Sequence, residues 1–121
     1  MGKWPIDEEE NSTYIPKQRD IMYVNFTGAV GKEIYKRRPV LVLSQTSFNS
    51  ATGFCVVCPI SHRSRNYPSV LPIQDTQKIV QGVVLTHQIK AVDYRAREAR
   101  YVEKADALTW VHVLDVTKDI F

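Results

Sequence analysis

Apolar residues along this chain gather in short runs, most of them too brief for a helix. Arg19–Phe26 carries β-branched and aromatic residues and stops at Thr27-Gly28, the chemistry of a strand. Pro39–Ser44 and Phe54–Ile60 are almost unbroken apolar runs, as in strands covered on both faces. Tyr67–Ile73 holds Pro68 and Pro72 near its ends, which marks an edge strand. Gly82–Ile89 and Val92–Arg97 read as two more strands; alternation in the first sets Val83, Leu85 and His87 on one face. Between these runs lie a charged loop at 27–38, a turn at Asn49–Gly53 and a basic loop at Ser61–Asn66. The period changes only near the end. Leu108, Val111 and Leu114, flanked by Ala107 and Trp110, fall at i, i+3 and i+6, the apolar face of a helix. Asp106 at its start suits the helix dipole. Five or six strands with no intervening helices, then one helix, predict a mainly β, antiparallel, barrel-like domain.

A length of 121 residues supports one such domain, and 44% hydrophobic content excludes wholesale disorder. No apolar run approaches a membrane span, and the first residues lack a signal-peptide core, so a soluble cytoplasmic protein is expected. Charge is unevenly placed. Residues 1–12 hold one basic against four acidic groups (Lys3; Asp7–Glu10), whereas the remainder holds 15 basic against nine acidic. An acidic, flexible tail over residues 1–13 is therefore expected ahead of a basic domain over 14–121 that can attract polyanions.

Cys55 and Cys58 make a C-x-x-C within a strand, where residues three apart face opposite ways. With no second pair to complete a zinc site, they are expected to be buried hydrophobes. The basic loops are the places for chemistry. Lys32, Glu33, Arg37 and Arg38 precede the second strand; Ser61, His62, Arg63 and Arg65 follow the third. A guanidinium matches phosphate oxygens and a hydroxyl adds a hydrogen bond, while Glu33, His62 or His87 would move protons. His87 suits either the site or a hydrogen-bonded core position. This set fits phosphodiester cleavage without a metal or other cofactor, since no Asp/Glu cluster is spaced to hold Mg²⁺.

The order of Tyr14–Ile21, Val24-Asn25-Phe26, Gly31-Lys32-Glu33 and Arg38–Ser44 resembles the MazF/PemK (Kid) family of toxin endoribonucleases. The likeness continues through Pro59-Ile60-Ser61, Tyr67-Pro68, Gly82-Val83-Val84, Gln88-Ile89-Lys90 and Asp93–Arg97, nearly the whole chain. It implies an SH3-like antiparallel barrel with a C-terminal helix, acting as a homodimer. It further implies sequence-specific, metal-independent cleavage of single-stranded RNA, often mRNA, by attack of the substrate 2′-hydroxyl. A cyclic phosphate and a 5′-hydroxyl result. The family's catalytic arginine falls on Arg38, its companion threonine on Ser61 and its implicated glutamate on Glu33. Lys32, Arg37, His62, Arg63, Arg65, His87 and Gln88 are then expected to bind RNA, and an antitoxin with an acidic C-terminal segment is the expected protein partner. Two departures stand out: Arg19 replaces a common glycine, and His87 replaces an aspartate found before the glutamine in some members. Two other readings share the fold, a CcdB-like topoisomerase poison and a nucleic-acid-binding barrel without catalysis.

Overall fold

Strand β3 (Phe54–Ser61) organises the domain because both of its edges are occupied. One edge pairs antiparallel with β2 (Arg37–Val42), Val40 opposite Pro59 and Val42 opposite Val57. The other edge is shared: Phe54–Val57 pair with β6 (Lys90–Asp93), and Ile60-Ser61 pair with β5 (Val83–Leu85). Pro59 falls in the gap between those two partners, where a residue without an N–H is tolerated. In this computed structural model, which describes residues 13–26, 37–62 and 69–120, β1 (Asp20–Asn25) lies beyond β2 and β7 (Arg100–Lys104) beyond β1. On the far side β4 (Val70–Pro72) pairs with β5. The pairing order is therefore β4-β5-β3-β2-β1-β7, with β6 also on β3. The sheet is antiparallel and mixes with a C-terminal helix as the sequence predicts, although its path ends at β4 and β7 instead of closing into a ring.

Period-two alternation divides the core. Ile21, Leu41, Cys58 and Ile60 join one buried cluster with Val113 of the helix, while Met22, Val40, Val42, Cys55 and Val57 join another. Val40, Leu41 and Val42 are all fully buried, which accounts for the unbroken apolar run. The two cysteines, free and buried, fall in different clusters, and desolvation pushes each thiol up to about 12. They are packing residues, as predicted.

Four local expectations are corrected. Asn49–Gly53 is not a turn but the second half of helix α1 (Thr46–Thr52), closed by Gly53 at φ 77°. Asn49 is fully buried because its amide donates to the Pro16 and Ser44 carbonyls and accepts from the Ser44 hydroxyl. The strand expected over Gly82–Ile89 stops at Leu85 and becomes a 3-10 turn, Thr86–Gln88. That expected over Val92–Arg97 starts earlier, at Lys90, and ends at Asp93; β7 then forms where no strand was predicted.

The fourth correction concerns helix α2 (Ala107–Thr117). Asp106 caps it, accepting from the Thr109 N–H at 3.0 Å and the Thr109 hydroxyl at 2.7 Å. Burial raises the Asp106 pKa, but these hydrogen bonds outweigh it and hold the carboxyl below its ordinary value. The helix turns Thr109, Val113 and Thr117 inward. Leu108, Val111 and Leu114, the apolar face marked by the spacing, stay 53, 56 and 44% exposed.

Arg19, where the resemblance leads one to expect glycine, adopts φ 80°. Its Nε donates to the Ala105 carbonyl at 2.6 Å, and its own carbonyl accepts from the Ala105 N–H. A β-branched residue tolerates this left-handed backbone worst. Arg19→Val should therefore lower unfolding stability by about 2 kcal/mol, and Arg19→Gly by no more than about 1 kcal/mol, measured by urea titration.

Candidate active site

Arg38 is the second residue of β2, and β1 holds it opposite Val24. Carried two residues beyond Val40 and Pro59, the β2–β3 register sets Arg38 opposite Ser61, the last residue of β3. Directly opposed residues share a face of a sheet. Both side chains indeed line one cleft of about 650 Å³ at this end of the sheet. Arg37, His62, Gln88 and Lys90 line it as well, above an apolar base of Pro39, Pro59 and Ile60. No Asp or Glu is among the described residues lining it, while Arg37, Arg38 and Lys90 are.

Two of the cations are tethered. Arg37 donates to the Glu98 carbonyl at 3.1 Å and pairs with the Glu98 carboxylate at 3.5 Å, which fixes its guanidinium against the turn before β7. Lys90 Nζ lies 4.7 Å from the centre of the Phe26 ring, a cation–π contact. The Phe26 carbonyl in turn accepts from Arg97 at 3.0 Å, anchoring the end of β1. Tyr23 and Phe26 give the cleft an aromatic side.

Of the residues singled out from sequence, Arg37, Arg38, Ser61, His62 and Gln88 come together here. His87 does not. It is an exposed member of the 3-10 turn, neither core nor cleft lining, because the chain leaves the strand at Leu85. Its Nδ1 is 2.9 Å from the Ser69 hydroxyl, and its Nε2 is 3.4 Å from the Gln88 amide nitrogen. Its neighbour Gln88 lines the cleft. Glu33, Lys32, Arg63 and Arg65 lie outside the described residues, as does the acidic stretch Asp7–Glu10. Sequence reasoning missed Tyr23, Phe26, Lys90 and the segment Ile79–Gln81. The one available signal for the last was an apolar pair, Ile79-Val80, inside an otherwise polar loop.

Gly82 is built into the geometry of Ser61. Its φ is 123°, and a Cβ there would overlap the Ser61 carbonyl oxygen. Glycine is required on both counts. Among the described residues no group of three or more His, Cys, Asp or Glu could hold a metal, and no helix is long and apolar enough to cross a membrane.

Residues 17–121 match the family described as PemK-like, MazF-like toxin of type II toxin–antitoxin system. The chain belongs to this toxin family. It is 34% identical over 88 residues to the endoribonuclease toxin MazF of Escherichia coli K12, covering 73% of this chain and 78% of that protein. Similarity to the endoribonuclease toxin ChpB of the same organism is 36% over 87 residues, 69% and 74% of the two chains. The fold superposes on MazF in a MazE–MazF complex from Deinococcus radiodurans with a TM-score of 0.77, at 31% identity, covering 88% and 95%. A mycobacterial endoribonuclease in complex with its antitoxin shares the fold at a TM-score of 0.70 and 14% identity. In this PemK/MazF-like toxin, the clash at Gly82 makes a structural prediction. Gly82→Ala should destabilise the domain by about 2 kcal/mol or more, read from the urea midpoint, because the backbone carrying Ser61 must move.

Proposed function

We propose that this MazF-type toxin endoribonuclease cuts single-stranded RNA at short sequence motifs without a metal ion. The observation that carries the reading is a cationic cleft shared by Arg38 and Ser61 at facing strand ends, with no carboxylate among its described lining. A cleft lined by cations attracts a polyphosphate, which an acidic lining would repel.

The substrate's own 2′-oxygen attacks the adjacent phosphorus while a base removes its proton. The bond to the 5′-oxygen breaks, that oxygen takes up a proton, and the products are a 2′,3′-cyclic phosphate and a 5′-hydroxyl. Negative charge grows on the non-bridging oxygens in between. Arg38 is assigned to stabilise that charge, because its backbone sits on a strand directly opposite Ser61 and its guanidinium matches phosphate oxygens. Ser61 donates its hydroxyl hydrogen to one of the same oxygens. Glu33 is assigned as the base from the resemblance, and His62 as proton donor to the leaving oxygen, an imidazole being able to exchange protons near neutrality. Lys32, Arg37, Arg63 and Arg65 neutralise flanking phosphates, and Gln88 offers an amide to a base. His87, exposed beside Gln88, is assigned with it to bind RNA.

Cleavage of a long single-stranded RNA in excess EDTA tests this. Arg38→Ala should reduce the rate about a thousandfold and Ser61→Ala about a hundredfold, the scale of losing one transition-state donor. Undiminished cutting by Arg38→Ala removes the site assignment. RNA bound but intact with the unaltered protein would favour a non-catalytic binder, and neither binding nor cutting a CcdB-like protein target.

The toxin is further proposed to work as a homodimer and to be held by an antitoxin whose acidic C-terminal segment competes with RNA for the basic cleft. The dimer suits the exposed stripe Leu108, Val111 and Leu114, which continues into Ile120 and borders an apolar groove of about 240 Å³ beside Leu43, Val56 and Trp110. Val111→Glu with Leu114→Glu should convert the protein to a folded monomer in sedimentation experiments. A dimer that survives both changes places the interface elsewhere.

A further inference from the structure

Part of the cleft lining, Ile79–Gln81, belongs to a closed loop, residues 74–81, that hydrogen bonds hold at several points. Its ends meet where the Ile73 N–H donates to the Gly82 carbonyl at 2.9 Å. Its start is held by helix α2, since the Gln74 N–H donates to the buried Thr109 hydroxyl at 2.8 Å. Inside it, the Gln81 amide donates to the Asp75 and Lys78 carbonyls at 3.0 and 2.8 Å. The decisive clamp comes from β7. Glu103 accepts the Ile79 N–H at 3.0 Å with one carboxylate oxygen and the Val80 N–H at 2.8 Å with the other. Val80 is thereby driven into the core, 4% exposed, while its neighbour Ile79 is thrust out, 72% exposed, onto the cleft.

An isoleucine so exposed forgoes burial. Two charge-assisted hydrogen bonds nonetheless hold it in one position. The cations of Arg37, Arg38 and Lys90 line the same cleft. A single RNA strand has the matching asymmetry, with phosphates along one side and apolar base faces along the other.

We propose that Ile79 is a base-contacting, specificity-determining residue of the cleft and that Glu103 is its positioning residue, locking the 74–81 wall at a fixed distance from the phosphate-binding side. The proposal rests on the reading of the cleft as an RNA site. A rigid apolar wall contacts a base through its face or ring edge, so it selects by size and shape, and it discriminates only while it cannot retreat.

The test pairs binding with cleavage, using the full chain. Fluorescence anisotropy is measured with short labelled single-stranded oligoribonucleotides of differing base, and cut sites are mapped by end-sequencing a long RNA. Ile79→Ala should weaken the best-bound oligonucleotide at least about fivefold while changing the poorest little, flattening base discrimination. Its thermal midpoint should stay at the parent value, because the side chain is exposed. Glu103→Ala should shift the cut-site map in the same direction as Ile79→Ala, Glu103→Gln should retain most of the parent preference, and the double variant should lose no more than either single change. An Ile79→Ala protein with parental discrimination in both measurements overturns the proposal. So does an Ile79→Ala protein that loses affinity only for a Glu-rich peptide, since the wall would then serve an inhibitor. If the parent binds RNA in an Ile79-dependent way yet cuts none, the wall assignment stands and the nuclease reading falls.

Discussion

The antiparallel register between β2 and β3 is the constraint on which the rest depends. Val40 opposite Pro59 places Val40 and Val42 in one buried cluster and Leu41 in the other, so a slip of one residue would turn every one of these side chains to the wrong side. Because both faces are packed, such a slip is opposed by several fully buried residues at once, each contributing about 1.5–3 kcal/mol of burial. The same register, continued outward, brings Arg38 level with Ser61. Hydrophobic burial in the middle of the sheet thus sets the geometry of two polar groups at its mouth, and a site placed this way needs no loop to hold its principal cation.

Legibility in the sequence followed the same physics. β2 and β3 were readable because burial on both faces forces an unbroken apolar run, and the cysteines were readable because period two separates residues three apart. Helix α1 was not, since Thr46–Thr52 is a single short helix of poor formers whose stability comes from tertiary bonds, the Asn49 amide to Pro16 above all. Helix α2 was found but its faces were inverted. Spacing of apolar residues marks an inward face only if polar residues cannot go there, and Thr109 and Thr117 can. The Thr109 hydroxyl bonds Asp106 and Gln74, and the Thr117 hydroxyl bonds the Val113 carbonyl at 2.9 Å, so neither leaves an unsatisfied group. The apolar stripe was left for solvent, or for a second molecule.

The candidate site divides along a similar line. Arg37, Arg38, Ser61, His62 and Gln88 could be found because basic residues and a hydroxyl beside buried strands are visible in one dimension. The 74–81 wall could not, because Ile79 and Glu103 are 24 residues apart and linked only by backbone donors that carry no sequence signature. The strand position expected for His87 failed for a local reason: alternation was extended past Leu85, where the chain had already turned into a 3-10 segment that exposes this residue. Groups that bind phosphate advertise themselves by charge; groups that shape a wall do not.

Two positive-φ positions, Arg19 and Gly82, differ in what their surroundings allow. Arg19 lies at φ 80°, in the left-handed basin that a long unbranched side chain can enter at modest cost, and its Nε gains the Ala105 carbonyl as a partner. Nothing there excludes a Cβ. Gly82 lies at φ 123° and abuts the Ser61 carbonyl, so both its torsion and its surroundings exclude one. An arginine at position 19 is therefore compatible with β1 and its pairing with β2, its N–H donating to the Val42 carbonyl at 2.8 Å. Gly82 is in contact with the backbone of Ser61, whereas Arg19 lies at the opposite end of β2 from Arg38.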